Sequence, residues 1–340
     1  MSRATPGTSQ VTVEGLQSLI ARALSQAGAS EENAAIVARA LTAAEVDGQK
    51  GHGLSRVTSY IGQLRSGKVD GHAVPSVRPV RPAVLAVDAA LGFAYPALDA
   101  AVERLPALAR DNGIAAAGIY RSHHAGALGL VVERLATAGL VALMLANTPS
   151  AMAAWGGRRP LLGTNPVAFA APRGSGEQPL VIDLALSEVA RGKILSAAQK
   201  DEPIPEGWAL DREGNPTTDA RAALEGTLLP AGGAKGAALA LMVELLAAGL
   251  TGGRFAAEAS SFLDAQGSPP STGQLLIAID PTAIDDLAPQ RIGALCAAIE
   301  AELDVRLPGS RRRLLRERAA REGVTVEARL LAQVQALASS

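Results

Sequence analysis

From Val13 to Ala27 the apolar residues return every three or four positions, the period of one helix face, and the run stops at Gly28. Ser30 stands where a helix cap would, followed by Glu31 and Glu32 in the first turn, where the positive end of the peptide dipoles favours acids. Ala34, Val37, Ala38, Leu41 and Ala44 keep the spacing, and a third helix is expected from about Leu54, just after GHG, to just before Gly67. The proline-bearing stretch HAVPSVRPVRPAV breaks the pattern and reads as a linker.

The pattern changes from about residue 80. AVLAVDA reads as a strand, Tyr95 to Asn112 as a helix, IAAAGIY as a strand and SHHAGALG as a turn; a helix then runs through Ala138 to Gly139, followed by the strand LVALMLAN. PVAFAAP, PLVIDLAL and GQLLIAID read as further short buried strands, SEVARGKILSAAQK and GAALALMVELLAAGL as helices, and helical spacing returns from about Gln290. These elements predict a mixed α/β (α+β) protein. Residues 1–75 and 285–340 are expected to form a discontinuous helical domain around one α/β core of residues 76–284.

Composition narrows the class. With 340 residues, 48% of them hydrophobic, the chain is long enough for two cores, and a formal charge of -1 offers nothing to attract nucleic acid or a membrane surface. The opening MSRATPGTSQ lacks the apolar run of a secretion signal, and GAALALMVELLAAGL is too short to span a bilayer and contains Glu244, so a cytoplasmic protein is expected. The single cysteine, Cys296, lies in the apolar run IGALCAAIE and reads as a core residue, and no metal site is expected.

Chemistry concentrates at histidines. Of the four, His52 lies in GHGLSRVTSY and His123 and His124 in SHHAGALG, both glycine-flanked, whereas His72 has no such setting. His52, Arg56 and Tyr60 are four apart and would share one stripe of a helix beginning at residue 53. The helix dipole would there disfavour the imidazolium, and Arg56 would offer a two-donor fork to a carboxylate. The same residues read equally as a helix cap, a surface ion-pair partner and a core-edge aromatic. Asp183 interrupts LVIDLAL, and an acid on a core strand needs a partner, either a histidine or backbone amides at a helix start. LLPAGGAKGAALALMVELL sets two glycines and Lys235 ahead of a long helix, a place for a phosphate, although neither GxxxxGK[ST] nor GxGxxG is present. The arginine cluster GSRRRLLRERAAREG reads first as a solvated helix face and second as a contact to a cofactor phosphate.

In order, DGQKGHGLSRVTSYIGQLRSGKVDG, SHHAGALG, ANTPSAMAAWGGRRPLLGTNPVAFAAP, IDLALSEVARGKI, IPEGWALDREGNPTTD and LLPAGGAKGAAL resemble the malate/L-lactate dehydrogenase family of the second, non-Rossmann type. That family includes ureidoglycolate, sulfolactate and diketogulonate oxidoreductases and the reductases of piperideine-2-carboxylate and pyrroline-2-carboxylate. The resemblance implies a non-Rossmann NAD(P)-binding core with a largely antiparallel mixed sheet. It also implies a homodimer and hydride transfer between NADPH or NADH, NADPH ahead, and C2 of a small 2-oxo, 2-hydroxy or cyclic 2-imino carboxylate. His52 matches the catalytic histidine, with Asp183 coupled to it, Arg56 on the substrate carboxylate, and Tyr60, His124, Thr164 and Asn165 lining the substrate pocket. Thr148, Asp183, Leu184, Ala185, Lys235, Pro308 and Gly309 match cofactor positions. The chain departs from the pattern at Gly51, where serine is usual, and at Ala125, Leu186 and Ser310, where an aromatic, a threonine and an acid are usual. Gly51 and Ala125 make room and remove polarity, which favours a ring-bearing imine over a compact hydroxy acid such as malate. A dinucleotide-binding protein that has lost turnover is the alternative.

Overall fold

The computed structural model describes residues 7–174 and 176–339. Helices α1 (Val13–Gln26), α2 (Glu31–Val46) and α3 (Val57–Arg65) pack into one layer, and the cap at Ser30 is as expected, its hydroxyl accepting from the Asn33 amide. The third helix is shorter than its sequence suggested. Two tight 3-10 turns, Lys50–His52 and Leu54–Arg56, precede it, so His52 does not stand at the mouth of an α-helix.

At the centre lies a seven-stranded sheet in the order Ser76–Arg81, Val84–Asp88, Ile114–Ser122, Thr272–Ile279, Val141–Ala146, Val167–Ala171, Leu180–Leu184. Val84–Asp88 and Ile114–Ser122 run parallel, joined through α4 (Ala94–Asn112); the other neighbours are antiparallel. The sheet is thus mixed and largely antiparallel. Ser76–Arg81 occupies the stretch expected to be a linker, and it takes the sheet edge, where Pro79 and alternating exposure are tolerated. Central strand Thr272–Ile279 shows the period of two: Leu276 and Ala278 join the core beneath α4 and α5 (Leu128–Thr137), while Leu275 and Ile277 face the opposite layer. Small residues such as Ala115, Ala117, Ala142 and Ala168 let those helices lie close, so buried Leu98, Leu105, Val132 and Leu135 each contribute about 1.5–3 kcal/mol.

On the opposite face, α6 (Arg191–Lys200) and α7 (Ala220–Glu225) border a small five-stranded sheet, and α8 (Ala234–Glu244) runs into a single wide turn, Leu245–Gly249. Helix α6 starts later than SEVARGKI suggested because Ser187 bridges to Pro230 and its hydroxyl donates to the Val189 carbonyl. The C-terminal region supplies α9 (Ala288–Glu300), α10 (Ser310–Glu322) and α11 (Ala328–Leu337). An unexpected strand, Val324–Glu327, pairs antiparallel with Thr8–Val11. The two chain ends therefore meet, and Leu16, Ile20, Leu41 and Tyr60 share one core with Ala319, Val326, Leu331 and Val334. Phe93 and Tyr95 belong to the same core.

Candidate active site

The tight turns between α2 and α3 place His52. Gly53 lies so close to Glu45 that a Cβ there would collide with its carboxylate, and the Leu54 amide donates to that carboxylate at 2.9 Å. Burial raises the Glu45 carboxyl above its usual value. This anchor turns the chain so that Arg56 Nε donates to the Gly51 carbonyl at 2.7 Å, while Arg56 Nη1 is buried without a partner. A buried guanidinium nitrogen with nothing to donate to is costly, and an arriving acceptor would relieve it.

The second element is the turn after Ile114–Ser122, and its two histidines diverge. His123 points into Tyr60, Phe93 and Phe262, and neither ring nitrogen has a partner; burial pushes it down to about 3, with Lys68 and Arg56 acting in the same direction. His124 uses both nitrogens: Nε2 lies 3.2 Å from His52 Nδ1 and Nδ1 lies 2.6 Å from the Tyr60 hydroxyl. The rings of His52 and His124 are nearly parallel, at 14°. Tyr60 in turn meets the Tyr95 hydroxyl at 3.0 Å. Tyr60 and His124, expected against substrate, are buried behind His52 instead, because the phenol is fully enclosed and both imidazole nitrogens are occupied.

Burial lowers His52 to about 4, Arg56 pushes it the same way, and Asp183 opposes. His124 is driven well below 6.5 by burial, then by Arg56, His52 and His123. The cluster is therefore a set of neutral imidazoles beside one cation that has no carboxylate partner among the described residues. Such a site attracts a single anionic group.

Asp183 has no histidine in hydrogen-bond contact. Its Oδ2 accepts from the Gly129 amide at 2.9 Å, Gln49 Nε2 at 3.1 Å and Arg312 Nη2 at 3.3 Å. Gly129 leaves room for the Arg312 guanidinium, which a Cβ there would force to shift. Through Gln49 the same carboxylate ties the end of Leu180–Leu184 to the His52 turn. Arg312, in the first turn of α10, was hidden in an arginine run that reads as a solvated face; what its neighbours do shows why the run misleads. Arg316 turns inward onto Asp47 and Glu133, whereas Arg313 and Arg318 pair with Glu317 and Glu322 on their own helix.

The other candidates follow the strand end outward. Leu184 is exposed and Ala185 half-buried; the Leu186 amide donates to the Thr164 carbonyl, and the Thr164 amide donates to Thr148 Oγ1 at 2.9 Å. Beyond, the Ala231 amide donates to the Leu186 carbonyl, leading to Gly232, Gly233 and exposed Lys235 at the start of α8. In the other direction Gly309, left-handed at φ 82°, caps α10 against the Val181 carbonyl, with Pro308 exposed beside it. Asn165 does not line an open pocket. Fully buried, it donates to Glu244 Oε2 and the Ala240 carbonyl, each at 2.8 Å, in a network where Asn147 and the Ala256 amide also donate to Glu244. Tyr95 lies outside every sequence motif; Gln49 and Gly129 lie inside DGQKGHG and SHHAGALG without being singled out, and Arg312 belongs to the arginine cluster whose second reading is a contact to a cofactor phosphate.

The fold and this cluster define a site that can hold an anion beside a proton-transferring imidazole, built on neither a Walker nor a Rossmann loop. Residues 11–335 match the family model described as malate/L-lactate dehydrogenase. The chain is 53% identical to (2R)-3-sulfolactate dehydrogenase (NADP(+)) of Chromohalobacter salexigens, covering 90% of this chain and 91% of that protein. It is 46% identical to a Delta(1)-pyrroline-2-carboxylate/Delta(1)-piperideine-2-carboxylate reductase of Pseudomonas putida, covering 94% and 95%. Among solved structures, delta1-piperideine-2-carboxylate reductase from Pseudomonas syringae superposes with a TM-score of 0.91 at 44% identity, covering 97% of this chain and 99% of that one. The chain belongs to the malate/L-lactate dehydrogenase family.

Proposed function

We propose that the protein is an NADPH-dependent reductase of a small cyclic 2-imino or 2-oxo carboxylate, with 2-hydroxy acid oxidation as the reverse reaction. The observation that carries this reading is the buried, unpartnered Arg56 Nη1 beside His52. Arg56 would hold the substrate carboxylate, and His52 Nε2, which has no hydrogen-bond partner among the described residues, would give a proton to the oxygen or nitrogen on C2. One guanidinium with an unpartnered Nη1 and no carboxylate beside it among the described residues suits a monoanion, which favours pyrroline- or piperideine-2-carboxylate over a dianion. The 53% identity to a sulfolactate dehydrogenase favours a second reading, a sulfopyruvate reductase.

The residues present fit a dinucleotide. Arg312 Nη1, Ser310 Oγ and Gln49 Oε1 are buried polar atoms without partners, and Ser310 and Arg312 line a cleft of about 380 Å3 at the start of α10. Leu184, Ala185, Pro308 and Gly309 would hold the cofactor on that side, and Thr148 and Lys235 on the other, with Thr164 beside Thr148 lining the substrate pocket. When bound, its nicotinamide supplies the hydride. Asp183, kept in place by Gly129, Gln49 and Arg312, would fix the strand end between the two sides.

Following absorbance at 340 nm with NADPH or NADH and a panel of pyrroline-2-carboxylate, piperideine-2-carboxylate, sulfopyruvate, pyruvate and oxaloacetate tests the reading. Activity confined to sulfopyruvate selects the second reading, and NADPH binding without any turnover selects a non-catalytic dinucleotide-binding protein. A cytoplasmic setting, where reduced nicotinamides are at hand, belongs to the proposal. So does a homodimer, supported by exposed Leu239, Met242 and Leu245 spaced along one side of α8 and its wide turn. Leu245→Glu is expected to halve the mass measured by light scattering.

A further inference from the structure

Behind His52 runs a row of contacts: His52 Nδ1 to His124 Nε2 at 3.2 Å, His124 Nδ1 to Tyr60 Oη at 2.6 Å, and Tyr60 Oη to Tyr95 Oη at 3.0 Å. Every member beyond His52 is buried, so each link is isolated from water and its direction is set by its neighbours. A histidine that releases a proton from Nε2 stays a neutral imidazole only if it keeps the hydrogen on Nδ1. That Nδ1–H donates to His124 Nε2, which requires His124 to carry its own hydrogen on Nδ1. His124 then donates to Tyr60, and Tyr60 to Tyr95. Burial pushes both phenols up, Tyr95 to about 12, so they orient the row and do not feed protons into it. In many acid–base sites a carboxylate takes this orienting role; here Asp183 is held by Gly129, Gln49 and Arg312.

We propose that Tyr60 is a positioning residue: by accepting from His124 Nδ1–H it fixes the tautomer in which His124 Nε2 accepts from His52, leaving His52 Nε2 directed at the substrate. The proposal rests on the reductase reading for its purpose, though not for its test. The proton balance is simple. Once the substrate carboxylate offsets the Arg56 charge that disfavours the imidazolium, His52 takes one proton from solvent and gives one from Nε2 to the substrate atom on C2, and the hydrogens on His52 Nδ1, His124 Nδ1, Tyr60 and Tyr95 stay where they were. Facing His52 are Arg56 from its own turn, Asp183 from the strand end and His124; facing His124 are Arg56, His52 and His123; facing Tyr60 are Tyr95 and Arg56. Among the described residues only Tyr60 offers His124 Nδ1 an acceptor.

Tyr60→Phe removes that acceptor and keeps the ring. His124 Nδ1–H would be left buried and unpaired, so the imidazole moves its hydrogen to Nε2 and presents a donor to His52. In the unliganded protein, ¹⁵N spectra of labelled histidine should show His124 as the Nδ1–H form in the parent and as the Nε2–H form in Tyr60→Phe. In turnover, kcat should fall about 10- to 100-fold, KM for the carboxylate should change little because Arg56 is untouched, and the alkaline limb of the pH profile, where His52 loses its proton, should move to lower pH. Tyr95→Phe, one link further, should give a smaller effect of the same sign. An Nε2–H form of His124 in the parent overturns the proposal, whether or not Tyr60→Phe folds. So does a folded Tyr60→Phe with an unchanged tautomer and pH profile, which would leave the hydroxyl a packing role. A parent protein inactive on every acid overturns the reductase reading instead and leaves the spectral result standing.

Discussion

The two side chains assigned to the reaction differ in what their loss should do. His52→Gln removes the proton donor while keeping size and polarity, and kcat should fall by about 10²- to 10⁴-fold with cofactor affinity retained in a fluorescence titration. Arg56→Lys keeps the charge but loses the planar fork. Its expected signature is a KM for the carboxylate raised roughly 10- to 100-fold, corresponding to about 1.5–3 kcal/mol for a charge-assisted contact, with kcat changed far less. An unaltered KM in steady-state assays would remove Arg56 from the carboxylate site. At this scale the sequence was partly legible. His52 and Arg56 stand out because glycine flanks and a four-residue spacing are local properties. The partners of Tyr60 and Asp183 do not, because Tyr95, Gln49 and Arg312 approach from elements distant in sequence. The spacing also misled at Tyr60: the stripe assumed a continuous helix, and the Glu45 carboxylate beneath Gly53 imposes two tight turns instead.

Elements were legible where their ends carry local chemistry. The Ser30 cap, the Gly28 stop and the Gly139 stop are all recovered, each marked by a hydroxyl or a glycine at positive φ. Ser76–Arg81 and Val324–Glu327 were missed because edge and ribbon strands are short, partly exposed and defined by their partners. Among the helices, α10 is held from outside its own sequence. Arg316 grips Asp47 at the end of α2 and Glu133 on α5, four contacts at 2.6–2.7 Å. Asp47 is almost fully buried while Arg316 is about one-third exposed, so Arg316→Ala should cost about 2 kcal/mol, between the values for surface and buried pairs. Urea denaturation measures it. A loss below about 0.5 kcal/mol would mean that solvent already screens the cluster.

For the molecule as a whole, buried His123 and His124 and half-buried His52 set a limit on acid tolerance. His52 is lowered to about 4, His123 to about 3 and His124 well below 6.5, all chiefly by burial. Unfolded chains bind a proton at each of these positions below about pH 6.5, whereas in the folded state His52 refuses it until near pH 4, His123 until near pH 3, and His124 is held down in the same direction by burial. The depressed folded values therefore stabilise fully above pH 6.5, and that contribution is lost as pH falls through the interval. Each histidine contributes about 1.4 kcal/mol per pH unit to the slope. Folding free energy measured at pH 7.0, 6.0 and 5.0 should drop accordingly, and His123→Met, which sacrifices no hydrogen bond of the ring, should flatten the decline by one proton. A parent curve level from pH 7 to 5 would show that these rings can reach water. The ribbon joining Thr8–Val11 to Val324–Glu327 bears on how the chain is made. On a ribosome adding about 5–20 residues per second, the first strand waits roughly 15–65 s for its mate, with the greasy sides of α1 and α2 uncovered meanwhile. A stop codon a few dozen codons early thus yields not a trimmed enzyme but a sticky nascent chain, a natural client for chaperones and proteases.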